Sequence, residues 1–228
     1  TVRGVISCPR MSNANSYKDV DVPYGYVGIP LYQLCTLFLP FVVAEMQSMV
    51  QSLSGYSLYL ANNKGLPILD STIDEISSTH FEKVIKLYQR SPENRTQRFV
   101  INNVEGTTVF EREEKFMHRE YTITDFLMLC VSNVIKDKFV ILVRYPLEDY
   151  RNVTPMRPTI VTTEKVIRNF NIGQKEFTIY PDLSNLKDIK WIDSIQCNIT
   201  YLPGLGGDYD GDCVSLKGIF SQEANLEL

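Results

Sequence analysis

The chain has 228 residues, of which 44% are hydrophobic and 22% charged, and a formal net charge of −4. That size allows a sizeable core, built as one domain with a large insertion or as two small ones, and the composition is that of a folded globular protein. The mildly acidic total excludes a global positive field, so a nucleic acid would have to be met through local basic positions. Five scattered cysteines (Cys8, Cys35, Cys130, Cys197, Cys213) show no zinc spacing with one another or with histidine. They read as small buried apolar residues in a reducing compartment. No basic segment followed by an apolar stretch opens the sequence, which predicts a protein that is not secreted. The apolar run 30–43 is too short and too interrupted for a membrane span. A start at Thr1 rather than Met is that of a cut piece or a processed subunit.

In chain order, residues 2–7 read as a short strand, and an Asn- and Ser-rich loop follows to Lys18. Residues 20–27 are β-prone but broken by Pro23 and Gly25. Pro30 opens a helix in which Leu31, Leu34, Cys35, Phe38, Phe41, Val42, Met46 and Met49 recur at three- and four-residue steps. Pro40 lies inside that pattern and should kink or split it. Segments 54–60 and 99–104 read as strands, 73–87 as a helix, and 91–97 as an exposed loop. Arg90, Arg95 and Arg98 around that loop read as solvated, with phosphate contact as the alternative. A helix starts at 122–125 and runs to about Ile135. Residues 139–143 form a buried strand, and 159–162, 176–180 and 195–202 are further β runs. No internal repeat or low-complexity tract is present.

The densest chemistry lies at Gly207-Asp208-Tyr209-Asp210-Gly211-Asp212. Three carboxylates alternating over five residues repel one another unless a cation sits among them, and oxygen-only ligands suit a hard ion, Mg²⁺ or Ca²⁺. A calcium hand needs Gly at the sixth loop position and Glu at the twelfth, where this chain has Cys213 and Ile219. The remaining readings are a catalytic Mg²⁺ loop, with Gly206, Gly207 and Gly211 permitting sharp bends, and a solvated acidic turn between strands.

The stretch from Gly206 through Asp208-Tyr-Asp-Gly-Asp212, Ser221, Glu223, Ala224 and Glu227 resembles the signature of the largest (β′-type) subunit of multisubunit DNA-dependent RNA polymerases. That signature is N-A-D-F-D-G-D, then a strand, then a helix opening S-x-E-A-x-x-E. Three upstream pieces agree in order. Arg3-Gly-Val-Ile-Ser7 resembles the G-R-x-V-I-S strand, and Val27-Gly-Ile-Pro30 through Leu39-Pro-Phe-Val42 resembles G-L-P … F-x-P-F-V. Val140-Ile-Leu-Val-Arg144-Tyr-Pro146 resembles V-L-L-N-R-A-P. Together the matches cover about half the chain, and their divergence is of a phage or viral kind.

The resemblance implies an α+β, mainly β fold: a double-psi β-barrel with an inserted mixed α/β segment. Residues 1–50 would form the first part of the barrel with its helix, 51–116 the insertion, and 117–228 a helix plus the second part of the barrel. It implies an enzyme subunit that transfers a nucleotide from NTP to an RNA 3′-hydroxyl and is inactive without its partner subunits. Two Mg²⁺ ions would take part, one of them held by Asp208, Asp210 and Asp212 and activating the 3′-hydroxyl, the other arriving with the triphosphate. Arg144 matches the family arginine near the ribose. Arg3 matches, loosely, an arginine on the nucleic-acid side. Gly206 stands where the family has the sugar-binding Asn, and Tyr209 where it has Phe. Implied partners are a β-like subunit supplying a second barrel, other polymerase subunits, DNA template, RNA product and NTPs, with no membrane. The implied location is the cytoplasm, that of the host for a phage protein, or a virion. The competing readings are a non-catalytic barrel module, holding a structural metal or serving as an assembly scaffold, and an RNA-templated RNA polymerase core of the gene-silencing type. Lys217, His80 and His118 carry no assigned role.

Overall fold

A computed structural model describes residues 1–9, 21–51, 57–61, 67–72, 78–102, 122–163, 166–169, 176–179 and 189–228. In chain order the elements are β1 (Val2–Ser7), β2 (Tyr26–Pro30), α1 (Leu31–Leu37), α2 (Leu39–Gln51), β3 (Ser57–Ala61), β4 (Pro67–Thr72), α3 (Ser78–Arg90) and β5 (Arg98–Asn102). There follow α4 (Ile123–Ile135), β6 (Val140–Val143), β7 (Val153–Val161), β8 (Val166–Asn169), β9 (Glu176–Ile179), β10 (Ile195–Cys197), α5 (Leu202–Leu205), β11 (Cys213–Gly218) and α6 (Gln222–Leu226). The fold is α+β. It divides into two compact units, the first comprising Thr1–Phe38, Val134–Thr162 and Ile192–Leu228, the second Leu39–Asn133 and Thr163–Trp191. No described helix is long and apolar enough to cross a membrane.

The first unit is a closed barrel of six strands in the order β1-β10-β2-β7-β6-β11, with parallel and antiparallel neighbours. Two long strands organise it. The first half of β1 pairs antiparallel with β11 (Val2↔Leu216 to Val5↔Cys213), and its end pairs parallel with β10 (Ile6↔Ile195). β7 repeats this design: Val153 to Met156 pair antiparallel with β6, and Arg157 to Val161 pair parallel with β2. Exchanging β1, β2 and β6 for β7, β10 and β11 leaves every pairing and its direction unchanged, so the barrel has an internal two-fold pattern. Each half places its second strand between the first two strands of the other half.

Alternation within the strands fills the interior: Ile6, Val27, Ile29, Val140, Leu142, Met156, Ile195, Val214 and Leu216 are all buried. Strand β7 extends well before the expected run 159–162 because Pro155 and Pro158 are tolerated within it. Each lies in a half of β7 that pairs with a different neighbour, Pro155 opposite Ile141 and Pro158 opposite Val27. A nitrogen without hydrogen costs no ladder bond where it faces away from the paired side.

The helix over 30–51 is split, as Pro40 demands. Helix α1 ends at Leu37, Phe38 leaves the helical region (φ −115°), and α2 restarts at Leu39 with Pro40 in its first turn. The boundary between the two units falls at the same place. Helix α4 begins where the sequence indicates: the Thr122 N–H and hydroxyl each donate to Asp125 Oδ2 at 2.9 Å, a reciprocal cap.

In the second unit, β4-β3-β5 form an antiparallel sheet, β8 and β9 pair as a hairpin, and α3 buries Phe81, Val84, Ile85 and Tyr88. The segment 91–97 is less exposed than its composition suggests. Arg95 is buried, with its guanidinium 5.7 Å from the Tyr88 ring and 5.1 Å from the Trp191 ring. Cation–π contact with both rings offsets part of the cost of removing it from water. Residues 54–56, 73–77 and 103–104 of the expected elements lie outside the described residues.

Gly28 sits where three strands crowd. A β-carbon there would lie 2.9 Å from Gln196 Cβ, 2.9 Å from Val22 Cγ2 and 3.0 Å from Val161 Cγ1. Gly28→Ala should therefore lower unfolding free energy by about 1–3 kcal/mol, the usual cost of overpacking. Denaturant unfolding of the two proteins measures it, and an unchanged midpoint would mean the strands spread freely.

Candidate metal centre

Helix α5 ends in Gly206, whose φ of +62° is the left-handed conformation that releases the chain from a helix. Its N–H and that of Gly207 bond back to Pro203 O (3.4 Å) and Leu202 O (3.1 Å). The aspartate loop follows, and Gly211 at φ +120° turns it into β11. Both ends of the loop are fastened to the barrel. The Ile6 N–H donates to Asp212 O at 2.8 Å, and the Tyr209 hydroxyl donates to Cys197 O at 2.6 Å. Burial is the main cause that pushes the Tyr209 phenol above its ordinary range, with the neighbouring Cys8 and Cys197 adding to it.

The structure brings Asp208, Asp210 and Asp212 together. One carboxylate oxygen from each lies within 4.8 Å of the other two, Asp208 and Asp210 exposed and Asp212 half-buried. Arg144, leaving β6, meets them from the other side. Its Nε and Nη2 each lie 3.0 Å from Asp212 Oδ2, and Nη1 donates to Leu205 O at 3.4 Å. The Asp208 N–H donates to the same Oδ2 at 3.2 Å, and the Asp210 N–H to Asp208 Oδ1 at 3.3 Å. Gly207 is tightly packed: a β-carbon there would sit 3.0 Å from both Arg144 Nε and Asp212 Oδ2, so either side chain would have to give by a few tenths of an ångström.

Asp208 and Asp210 titrate as a pair. The hydrogen bond shared with the Asp210 side chain, and next the Asp210 N–H, hold Asp208 below the ordinary aspartate range. The same bond and the Asp208 charge raise Asp210. The opposed shifts show that the two carboxylates repel each other, a repulsion that a cation between them would relieve. Three carboxylates less one arginine leave a charge of −3 + 1 = −2, the complement of a divalent ion. In a six-coordinate ion with bonds of about 2.1 Å, adjacent ligands are about 3.0 Å apart and opposite ones about 4.2 Å, so three oxygens within 4.8 Å of one another must draw closer to share one ion. The all-oxygen donor set and its net charge suit a hard divalent cation.

The other sequence candidates are placed as follows. Arg3 is exposed on β1 opposite Ser215, its carbonyl accepting from Gln33 Nε2 at 3.3 Å, and no ion pair joins it to the aspartates. Lys217 is exposed on β11 opposite Ile141. His80 lies on α3 in the second unit, and His118 lies outside the described residues. The expected strand-then-helix order after the loop is present as β11 and α6, with the Ser221 hydroxyl capping α6 by accepting from the Ala224 N–H at 3.2 Å. One residue escaped the sequence reading altogether: Asn152, buried between Arg144 and the loop. Its only signal was an Asp149-x-x-Asn152 capping pattern after a Tyr-Pro turn. No protein-family model matches the chain, and no curated protein matches it significantly.

Because Asp210 is raised and Asp208 lowered, acidification protonates Asp210 first. Divalent-ion affinity should be full above the raised Asp210 value and should start to fall at a higher pH than for an isolated aspartate. Mn²⁺ titration at stepped pH reads this directly. A loss that begins only in the ordinary aspartate range would overturn the upward shift of Asp210.

Proposed function

We propose that this chain is the magnesium-holding catalytic part of a β′-like subunit of a DNA-dependent RNA polymerase. The observation that carries the reading is the convergence of three aspartate oxygens within 4.8 Å on a loop between two barrel strands, with Arg144 bound to one of them. Sequence order adds support, because the arginine and the aspartates come from the two motifs that resemble that family. The interlocked pairing, in which each half inserts its second strand between the first two of the other, supports reading the barrel as the double-psi type.

On this reading Asp208, Asp210 and Asp212 hold Mg²⁺, which when bound supplies charge neutralisation and activation of the 3′-hydroxyl. The RNA 3′-oxygen attacks the α-phosphorus, the bond to the bridging oxygen breaks, and pyrophosphate leaves with that electron pair. The hydroxyl proton passes to solvent, and no side chain of the chain has to act as nucleophile. Arg144 contributes position. Asp212 and Leu205 O fix its guanidinium beside the loop, where it can donate to a nucleotide sugar. Partner subunits supply the remaining triphosphate and template contacts.

The test is RNA primer extension on a DNA template, using the complex purified through a tag on this chain. Asp210→Ala should lower extension by at least about 100-fold, beyond the usual loss from a supporting hydrogen bond in a metal site, while the complex still assembles. Extension that survives would leave this chain a scaffold, and a loss of thermal stability without loss of extension would mark a structural metal.

Gly206 bears on sugar choice. Its left-handed backbone suits Asn better than other side chains, and a β-carbon there would have room, with Arg144 Nη1 at 3.7 Å. Gly206→Asn should fold and should raise preference for ribo- over deoxynucleotides by about tenfold, the worth of roughly one hydrogen bond. Competition between NTP and dNTP in the extension assay measures it, and an unchanged ratio would separate Gly206 from the sugar.

A further inference from the structure

We propose that Asn152 is a positioning residue that sets the aspartate loop and Arg144 in register with each other, an inference that rests on the catalytic reading above. Asn152 is 4% exposed and uses its whole amide. On one side, Oδ1 accepts from the N–H of Glu148 (3.0 Å) and of Asp149 (2.7 Å), which closes the turn between β6 and β7. Its own carbonyl accepts the Arg144 N–H at 3.1 Å, so the backbone of Arg144 is tied to it. On the other side, Nδ2 crosses to the second connection and donates to Leu205 O at 2.9 Å, with Gly204 O at 3.5 Å.

Leu205 O is the shared point. It accepts from Asn152 Nδ2 and, more distantly, from Arg144 Nη1 at 3.4 Å. It also immediately precedes Gly206, where the aspartate loop departs. A turn cap alone needs only the Oδ1 acceptor. The Nδ2 donor serves a second purpose, joining two connections that are distant in sequence and carry, respectively, the arginine and the carboxylates. Groups that orient metal ligands typically change affinity by about 10–100-fold when removed.

Asn152→Asp separates the two halves of this role, since a carboxylate still accepts from Glu148 and Asp149 but cannot donate to Leu205 O. Asn152→Ala removes both. In the tagged complex, hydrogen exchange over 204–212 and 148–152 is measured alongside Mn²⁺ affinity by electron paramagnetic resonance. The expected result for Asn152→Asp is faster exchange over 204–212, preserved protection over 148–152, and a Mn²⁺ dissociation constant raised about 10–100-fold. Asn152→Ala should speed exchange in both segments. Unchanged exchange over 204–212 in both variants would overturn the proposal and leave Asn152 a turn cap, as would unchanged Mn²⁺ affinity in a wild type that binds the ion. If the wild type binds no Mn²⁺ but Asn152→Asp still loosens 204–212, the positioning stands and the catalytic reading falls.

Discussion

The contact on which the site turns is that of Arg144 with Asp212. Three carboxylates within 4.8 Å of one another resist being held together, and the chain answers that resistance with one guanidinium and backbone N–H donors from within the loop. The Arg144 and Asp212 side chains are 21% and 27% exposed. A pair this accessible to water adds only about 0–1 kcal/mol to stability. Its consequence is geometric: it holds Asp212 Oδ2 on the arginine side of the loop. No described residue bonds to Asp212 Oδ1, which leaves that oxygen for a cation.

That contact depends on how the barrel joins its strands. Five connections link the six barrel strands. Those from β2 to β6 and from β7 to β10 leave the barrel for the second unit, over Leu39–Asn133 and Thr163–Trp191. Those from β6 to β7 and from β10 to β11 stay within the barrel unit and carry Arg144, Asn152 and the aspartates. Long excursions cost little extra closure entropy, because that cost grows only logarithmically with length. The closed ladder can therefore carry long excursions in two of its five connections while the β6–β7 and β10–β11 connections stay hydrogen-bonded to each other.

Sequence patterning reveals the parts of this arrangement that rest on local physics. The apolar period of α1 and α2, the break forced by Pro40, the Thr122–Asp125 cap and the buried run of β6 are all visible as residue spacing. The aspartates and Arg144 are visible as motifs. Barrel closure is not visible, because it depends on which strands meet across more than a hundred residues, and β10 is a strand of only three residues. Strand β7 is hidden by its two prolines, which deny a strand only where both sides are paired. Arg95 misleads for a related reason: a charged residue among polar neighbours reads as solvated, and the fold brings the Tyr88 and Trp191 rings over it.

Asn152 shows the same limit at the site itself. Half of its role is local, a cap four residues wide that composition can suggest. The other half is a bond to Leu205 O across 53 residues, which no spacing rule reaches. The two-fold pattern of the barrel accounts for the asymmetry of the result. The connection equivalent to the aspartate loop is the one from β2 to β6, and in it the chain follows the strand with α1, as it follows β10 with α5. One copy of that connection, from β2 to β6, runs through the second unit. The other stays within the barrel unit, where a single asparagine from the neighbouring turn bonds to it, so the site forms at the copy of that connection that makes no excursion.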